Sequence, residues 1–302
     1  QAANKLLNND KIFAMVGALG TPMNNAVFEE QLPKGVPNIF PFTAARSMSE
    51  PFHKLKFSQF STYYDQVRSS VKYFVEKQGK KKVCSYYLNG EFGFEIRDAV
   101  RDQAKAMNIA VAEEATILPT DTEFVAPVSK LKAAGCDLVV MGTIIRETIQ
   151  TIGTARKLGW NDVVFVGQNA SYDPIVAHAG GSGATEGFYS GTGMPFTYID
   201  TASDAIKTWA ASYKTRTGKD ANSPAQYGYV GADIVAKALE GAGKDLTRAK
   251  FLAAIEGIKD YKPMFPGPTI SYGPAKHKGA NVTFLAKVEK GRWVTVDPNL
   301  LY

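Results

Sequence analysis

The sequence predicts an α/β protein in which parallel strands are covered by helices on both faces. Continuous apolar runs alternate with longer segments in which apolar residues recur every three or four positions, as at Val67, Val71 and Phe74. Strands buried on both faces have the first pattern, and the helices that connect them have the second. A length of 302 residues and a hydrophobic content of 45% suit two lobes of ordinary size.

The predicted elements alternate regularly along the chain. We expect strands at residues 12–16, 38–40, 82–88, 109–117, 137–141 and 163–166, and a closing hairpin of 282–288 against 292–296. We expect helices at 24–32, 62–76, 124–134, 145–158, 202–217, 224–242 and 248–258, and another that carries Ile96, Val100, Ala104 and Met107. The turn at 289–291 joins the hairpin strands, which is typical of an antiparallel pair.

Charge and cysteine content narrow the class of protein. The net charge is +6, but lysines and arginines are scattered, and the one run, Lys80 to Lys82, is expected to be a solvated loop. We therefore expect no nucleic-acid partner. Cys84 and Cys136 lie in or beside apolar runs, where neighbouring parallel strands rarely suit a disulfide, so we expect two buried thiols.

The sequence does not predict catalysis. The three histidines, His53, His178 and His277, are far apart and have no metal-ligand spacing with another histidine or cysteine. A nucleophile motif is not visible either. The glycine-rich stretch 180–183 follows a helix and is expected to be a surface loop. We accordingly expect no catalytic residues, no metal and no cofactor.

The stretch from Val16 to Asn25 is the first candidate binding element. It combines a strand, a loop with two glycines, and Thr21-Pro22 as a helix start, with threonine as the N-cap and proline at the first helical position. Such a helix N-terminus can hold a small anion, most simply a carboxylate, with the Thr21 hydroxyl as an added donor. An ordinary strand–helix turn with a good cap explains the same residues. The stretch matches neither a P-loop nor a dinucleotide-binding motif.

Further candidates follow the carboxyl ends of other predicted strands, where parallel α/β sheets bind ligands. They supply hydroxyls, an amide, an arginine and apolar side chains: Phe42, Thr43, Ala44, Phe92, Thr143, Ile145, Arg146, Gln168 and Asn169. Arg146 can pair with a carboxylate or face the solvent. Tyr87, Tyr189 and Tyr227 either line the same pocket or belong to the core. The mixture fits a small organic ligand.

Several stretches carry a family resemblance through their order and spacing. They are residues 11–21, 36–45, 89–93, 134–139, 155–160, 229–243 and 267–268, with His277 and 291–293. Over nearly its whole length the chain resembles the periplasmic solute-binding proteins of branched-chain amino acid-type ABC transporters. The resemblance implies a two-lobed, type I fold with three crossing segments, a monomer, a periplasmic location and ABC permease subunits as partners. That family begins with a strand, a glycine loop and a long helix, so we expect sequence upstream of Gln1, where no signal peptide is visible.

The resemblance also implies domain boundaries. The first lobe comprises residues 1–58 and 190–266, and the second comprises 59–189 and the tail and hairpin of 267–302. A ligand binds in the cleft between such lobes, and hinge closure covers it.

The resemblance assigns roles to individual positions. Thr21 corresponds to the hydroxyl that holds the ligand carboxylate, and Phe42 to Ala44 complete that carboxylate site. Phe92 corresponds to an aromatic lid, and Ile145 to a second position that is often aromatic. Asn169 stands where amino-acid-specific members place an acidic residue against the ligand ammonium.

The residue at position 169 shapes the expected ligand. A buried ammonium group without a carboxylate partner is poorly compensated, so an acid without an amine fits better. We favour an aromatic or arylalkanoic acid, with aliphatic and keto acids still open. The alternatives are a protein that binds branched-chain or other hydrophobic amino acids, a ligand-sensing regulator of the same fold, and an α/β enzyme.

Overall fold

A computed structural model describes residues 1–179 and 183–302. The chain divides into two compact units. Unit 1 comprises Gln1–Phe60 and Thr197–Asn281, and unit 2 comprises Ser61–Phe196 and Val282–Tyr302. Three residues of the glycine-rich stretch expected to be a surface loop, 180–182, lie outside the described residues.

The described elements alternate as an α/β chain should. The strands are β1 (Met15–Val16), β2 (Asn38–Ile39), β3 (Lys56–Phe57), β4 (Val83–Leu88), β5 (Val111–Ile117), β6 (Leu138–Gly142), β7 (Val164–Gly167), β8 (Tyr189–Thr192), β9 (Thr283–Glu289) and β10 (Arg292–Leu300). The helices are α1 (Ala2–Asn4), α2 (Thr21–Gln31), α3 (Tyr63–Gln78), α4 (Glu91–Ala106), α5 (Val125–Ala133), α6 (Ile145–Lys157), α7 (Pro174–His178), α8 (Asp204–Thr217), α9 (Ser223–Ala242) and α10 (Arg248–Glu256). The predicted α/β class is confirmed.

Unit 2 is built on a seven-stranded sheet in the order β10-β9-β8-β7-β6-β4-β5. Strands β4 to β8 pair in parallel, and β9 pairs antiparallel with both β8 and β10. The predicted C-terminal hairpin is therefore confirmed. Helix α3 begins with a capping box, in which Thr62 and Asp65 satisfy each other's backbone N–H groups.

Unit 1 contains a small parallel sheet in the order β1-β2-β3. The strand expected at 12–16 is only Met15–Val16, and the Val16 side chain, expected to be buried, is 49% exposed. The reason is that β1 lies at the edge of this sheet and, among the residues that the structure describes, pairs with β2 alone. In contrast, Ile39 and Phe57 on the other two strands are fully buried.

The unit boundaries differ from the expected ones mainly at the last crossing. The chain changes unit after Phe60, Phe196 and Asn281, whereas the expected changes follow residues 58, 189 and 266. Residues 267–281 belong to unit 1 because their rings pack there. Tyr272 lies against Phe40 and Phe57, with ring centroids 5.8 and 5.9 Å apart, and the His277 ring stacks on Phe57 at 3.6 Å.

The two cysteines form a disulfide, so the expectation of two thiols was wrong. Cys84 is the second residue of β4, and its Cα lies 5.9 Å from that of Cys136. Cys136 is not within a paired strand, because it lies in the turn two residues before β6 begins at Leu138. The geometric objection to bridging parallel strands therefore does not apply.

Two kinds of feature are absent from the described residues, a membrane-spanning helix and a metal-binding cluster. None of the helices found there combines the length and the apolar character that crossing a membrane requires. Within residues 1–179 and 183–302, histidine, cysteine and acidic side chains also do not gather into a group able to hold a metal ion.

Candidate functional site

Helix α2 begins one residue earlier than expected. Gly20, with φ of +93°, is the N-cap, and Thr21 is the first helical residue, followed by Pro22. The Thr21 side chain therefore does not cap the helix, which corrects the expected N-cap role. Its hydroxyl is instead directed to another loop.

Backbone pairing beyond β1 and β2 brings two loops of unit 1 together. The Phe42 N–H donates to the Ala18 carbonyl at 2.9 Å, and the Gly20 N–H donates to the Phe42 carbonyl at 3.2 Å. As a result, Thr21 Oγ1 lies 2.7 Å from Thr43 Oγ1. Thr21 and Thr43 are only 4% and 8% exposed.

The hydroxyl pair retains one hydrogen for an outside acceptor. Two hydroxyls carry two O–H hydrogens, and the bond between them uses one. The Ala45 N–H donates to Thr43 Oγ1 at 3.3 Å, so the backbone adds a donor there rather than an acceptor. Whichever threonine donates to the other, the remaining O–H can donate to an anion.

Phe42 and Ala44 flank Thr43 in the chain, and Tyr227 is a further candidate in the same unit. The Phe42 and Ala44 side chains are half-buried and belong to the same loop as Thr43. Tyr227 is also half-buried, and its ring meets Phe60 edge-on at 5.0 Å. Thr21, Phe42, Thr43, Ala44 and Tyr227 all belong to unit 1.

In unit 2, Phe92 is held at the start of α4. The helix begins directly against the end of β4, where a Cβ on Gly93 would lie 1.8 Å from the Leu88 carbonyl oxygen, so only glycine fits. The Phe92 ring is half-buried and meets Tyr63 edge-on at 5.2 Å. Ile145, also half-buried, is the first residue of α6.

Asn169 is held by hydrogen bonds on two sides. Its N–H donates to Gln66 Oε1 at 2.9 Å, and its Oδ1 accepts from the Thr192 hydroxyl at 2.8 Å and the Gly193 N–H at 3.4 Å. Sequence reasoning did not single out Thr192. Thr192 is the last residue of β8, a strand absent from the predicted set, and its place at the carboxyl end of a strand is the signal that was available.

The Arg146 guanidinium is engaged by its own chain. It donates to the carbonyls of Pro119 and Asp121 at 2.7 and 2.9 Å, and pairs with the buried Glu147 carboxylate. Of the two alternatives considered for Arg146, facing the solvent agrees with its 45% exposed side chain, and the two carbonyls and Glu147 are partners that neither alternative included. The side chain ties the loop after β5 to α6.

Tyr87 and Tyr189 make core-type contacts. The Tyr87 hydroxyl donates to Glu114 at 3.3 Å, and burial, with the nearby Glu114 charge as the next cause, raises the Tyr87 pKa. The Tyr189 ring meets Phe74 edge-on at 4.9 Å and lies at the amino end of β8. Neither is among the described contacts of Phe92, Ile145 or Asn169.

The parallel strands and flanking helices of these units place the chain in the α/β class. A family model described as "periplasmic binding protein" matches residues 1–292. The chain belongs to this family.

Known relatives agree with that assignment. The chain is 24% identical over 267 residues to Leu/Ile/Val-binding protein homolog 3 of Brucella melitensis, covering 87% of this chain and 68% of the relative. A branched-chain amino acid ABC transporter structure from Thermus thermophilus with bound valine aligns at a TM-score of 0.87 and 18% identity, covering 99% and 81% of the two chains.

A solute-binding protein of an ABC transporter from R. palustris, in complex with benzoate, aligns at a TM-score of 0.84 and 17% identity. The alignment covers 100% of this chain and 81% of that protein. At such identities the two solved structures show the fold alone. The predicted type I periplasmic binding protein fold is thereby confirmed.

Proposed function

We propose that this protein is an extracytoplasmic solute-binding protein of an ABC importer and that it takes a small carboxylate-bearing ligand. Family membership supports the binding role and implies permease subunits as partners. We expect it to act as a monomer in the periplasm. The buried Cys84–Cys136 disulfide supports an oxidising compartment, where such bonds persist.

The Thr21–Thr43 hydroxyl pair is the observation that carries the carboxylate assignment. The pair has a hydrogen to donate, lies at the N-terminus of α2, and is nearly buried. A hydrogen bond to a charged acceptor is stronger than one between neutral groups, and the helix dipole favours a negative charge at this end. A carboxylate satisfies both conditions.

The favoured ligand is an aromatic or arylalkanoic acid. Asn169 is a neutral amide whose Oδ1 already accepts two hydrogen bonds, so the position supplies no negative charge for an ammonium group. The benzoate of one structural relative is an acid of this kind, whereas the valine of the other carries an ammonium group. We assign Phe92 and Ile145 to the apolar contacts of the ligand.

Titration calorimetry tests this proposal. Purified protein is titrated with benzoate, 3-phenylpropionate and leucine, and the same series is repeated on N169D. The substitution keeps an acceptor for Thr192 and adds one negative charge. We expect the wild type to bind the aromatic acids and not leucine, and N169D to lose affinity for benzoate and to gain affinity for leucine.

Other outcomes separate the alternatives. Wild-type binding of leucine alone would assign the protein to hydrophobic amino acids, as in the relatives, and would contradict the role of Asn169. Binding of none of these compounds would contradict the carboxylate role of Thr21 and Thr43. Chemical turnover of a bound acid would exclude a simple binding protein.

A further inference from the structure

The Phe42 ring lies against two positions that lack a side chain. A Cβ added to Gly17 would lie 3.3 Å from Phe42 Cε2, and one added to Gly228 would lie 3.3 Å from Phe42 Cζ. At this distance, tighter than nine in ten real Cβ contacts, the ring would have to move by a few tenths of an ångström. The two glycines therefore form a slot for one edge of the ring.

The two glycines differ in what their backbone requires. Gly17 has φ of +68°, so a side chain there is strained whatever the space around it. Gly228 lies inside α9 and does not have a positive φ. Glycine in a helix interior is unfavourable compared with alanine. Contact with the Phe42 ring is a reason for glycine at 228 that the helix itself does not supply.

The backbone of Phe42 cannot easily follow its ring. Its N–H and carbonyl are both bonded to the loop after β1, to Ala18 and Gly20. The next residue, Thr43, is bonded through its hydroxyl to Thr21. A Cβ at position 228 would consequently turn the half-buried ring about its own side-chain bonds and leave the hydroxyl pair in place.

We propose that Gly228 is a positioning residue that sets where the Phe42 ring stands beside the Thr21–Thr43 pair, and that this ring is the aromatic wall of the carboxylate site. The inference rests on the proposed function. If Gly228 acts in this way, the selectivity for planar aromatic acids depends on a helix residue that has no side chain.

The test compares G228A with G241A. Both glycines lie in α9, but a Cβ at Gly241 makes an ordinary 3.4 Å contact with the Ala254 Cβ and does not approach Phe42. We expect G228A to bind benzoate about three- to tenfold more weakly, because the displaced Phe42 ring loses part of its contact with the bound acid. We expect G241A to bind like the wild type, and neither variant to lower the melting temperature.

A third variant shows whether the effect passes through Phe42. In F42L the ring is absent, so adding G228A should cost no further affinity. Equal affinities of G228A and G241A, with a wild type that binds benzoate, would overturn this inference alone. The same loss with and without the ring would also overturn it. A wild type that binds none of the acids would overturn the proposed function and this inference with it.

Discussion

The sheets of the two units hold their strand-end loops in different ways. In unit 2, β4 has six residues, all buried, and is paired along its length with β5 and β6. In unit 1, each of β1, β2 and β3 has two residues. Beyond them the pairing continues through single hydrogen bonds between loops, such as that from the Phe42 N–H to Ala18.

This difference indicates how many contacts fix the position of the strand ends in each unit. A long ladder distributes the position of a strand over many bonds, so no single bond decides where its end lies. In unit 1 the Thr21–Thr43 pair depends on a few individual contacts. We therefore expect cross-links and core contacts to dominate the stability of unit 2, and single hydroxyls to dominate ligand affinity in unit 1.

The largest expected effect comes from removing the cross-link in unit 2. The double variant C84A/C136A should lower the free energy of unfolding by about 2–5 kcal/mol, because the unfolded chain regains the freedom that the disulfide removes. Guanidinium unfolding followed by circular dichroism measures this change. Wild type treated with reductant under denaturing conditions is the control and should refold to the same lower stability. An unchanged midpoint in the variant would show that the β4 ladder alone suffices.

The next effect is on affinity and belongs to unit 1. The double variant T21V/T43V keeps the shapes of both side chains and removes both hydroxyls. Loss of a hydrogen bond to a charged group should weaken benzoate binding about 10- to 100-fold, and each single variant should lose less because one O–H remains. Calorimetry measures the affinities.

Thr215 provides the control for the hydroxyl variants. Its hydroxyl donates to the Ala211 carbonyl on the exposed surface of α8, so T215V should bind benzoate like the wild type. If T21V/T43V also bound like the wild type, the carboxylate would have to be held elsewhere. Single hydroxyls of unit 1 would then not dominate ligand affinity.

The smallest expected effect is a pH dependence of stability that arises from His53 in unit 1. Burial, with the nearby charges of Lys56, Lys54 and His277, lowers the pKa of His53 below its ordinary 6.5. Since the folded value lies below the unfolded one, protonation favours unfolding. The contribution of neutral His53 to the free energy of unfolding is fully present above about pH 6.5 and is lost as the pH falls through the folded pKa.

Replacing His53 tests whether its protonation lowers stability at acidic pH. In H53N the amide oxygen can still accept from the Leu55 N–H, as the His53 ring nitrogen does at 3.2 Å. Urea unfolding at about pH 7.5 and about pH 5.5 should show a slightly smaller loss of stability on acidification for H53N than for the wild type. An equal or larger loss in the variant would contradict the assignment.

Much of the secondary structure could be predicted from local patterns. The segment that carries Val67, Val71 and Phe74 lies within α3, and all three side chains are buried. It could be predicted because apolar residues at helical spacing indicate which face of a helix is buried. The hairpin was recognisable for the same reason. The strand predicted at 12–16 was too long. An apolar run does not reveal that β1 lies at the edge of its sheet, where β2 is its partner among the described residues.

The site could be predicted less well. The strand-end rule found Thr21 and Thr43 as separate candidates, but not that their hydroxyls bond to each other. It also selected Arg146, whose guanidinium binds the chain's own carbonyls. The position of the Phe42 ring against Gly228 had no sequence signal, because those residues meet only through packing.

The sequence by itself determined the α/β class, the order of the main elements and the family, since each follows from residue types and their local spacing. Only the tertiary structure decided which side chains meet. Thr21 and Thr43 are 22 residues apart, and Cys84 and Cys136 are 52 apart. Such contacts depend on how loops leave the sheet and on register between strands, and no local pattern encodes either.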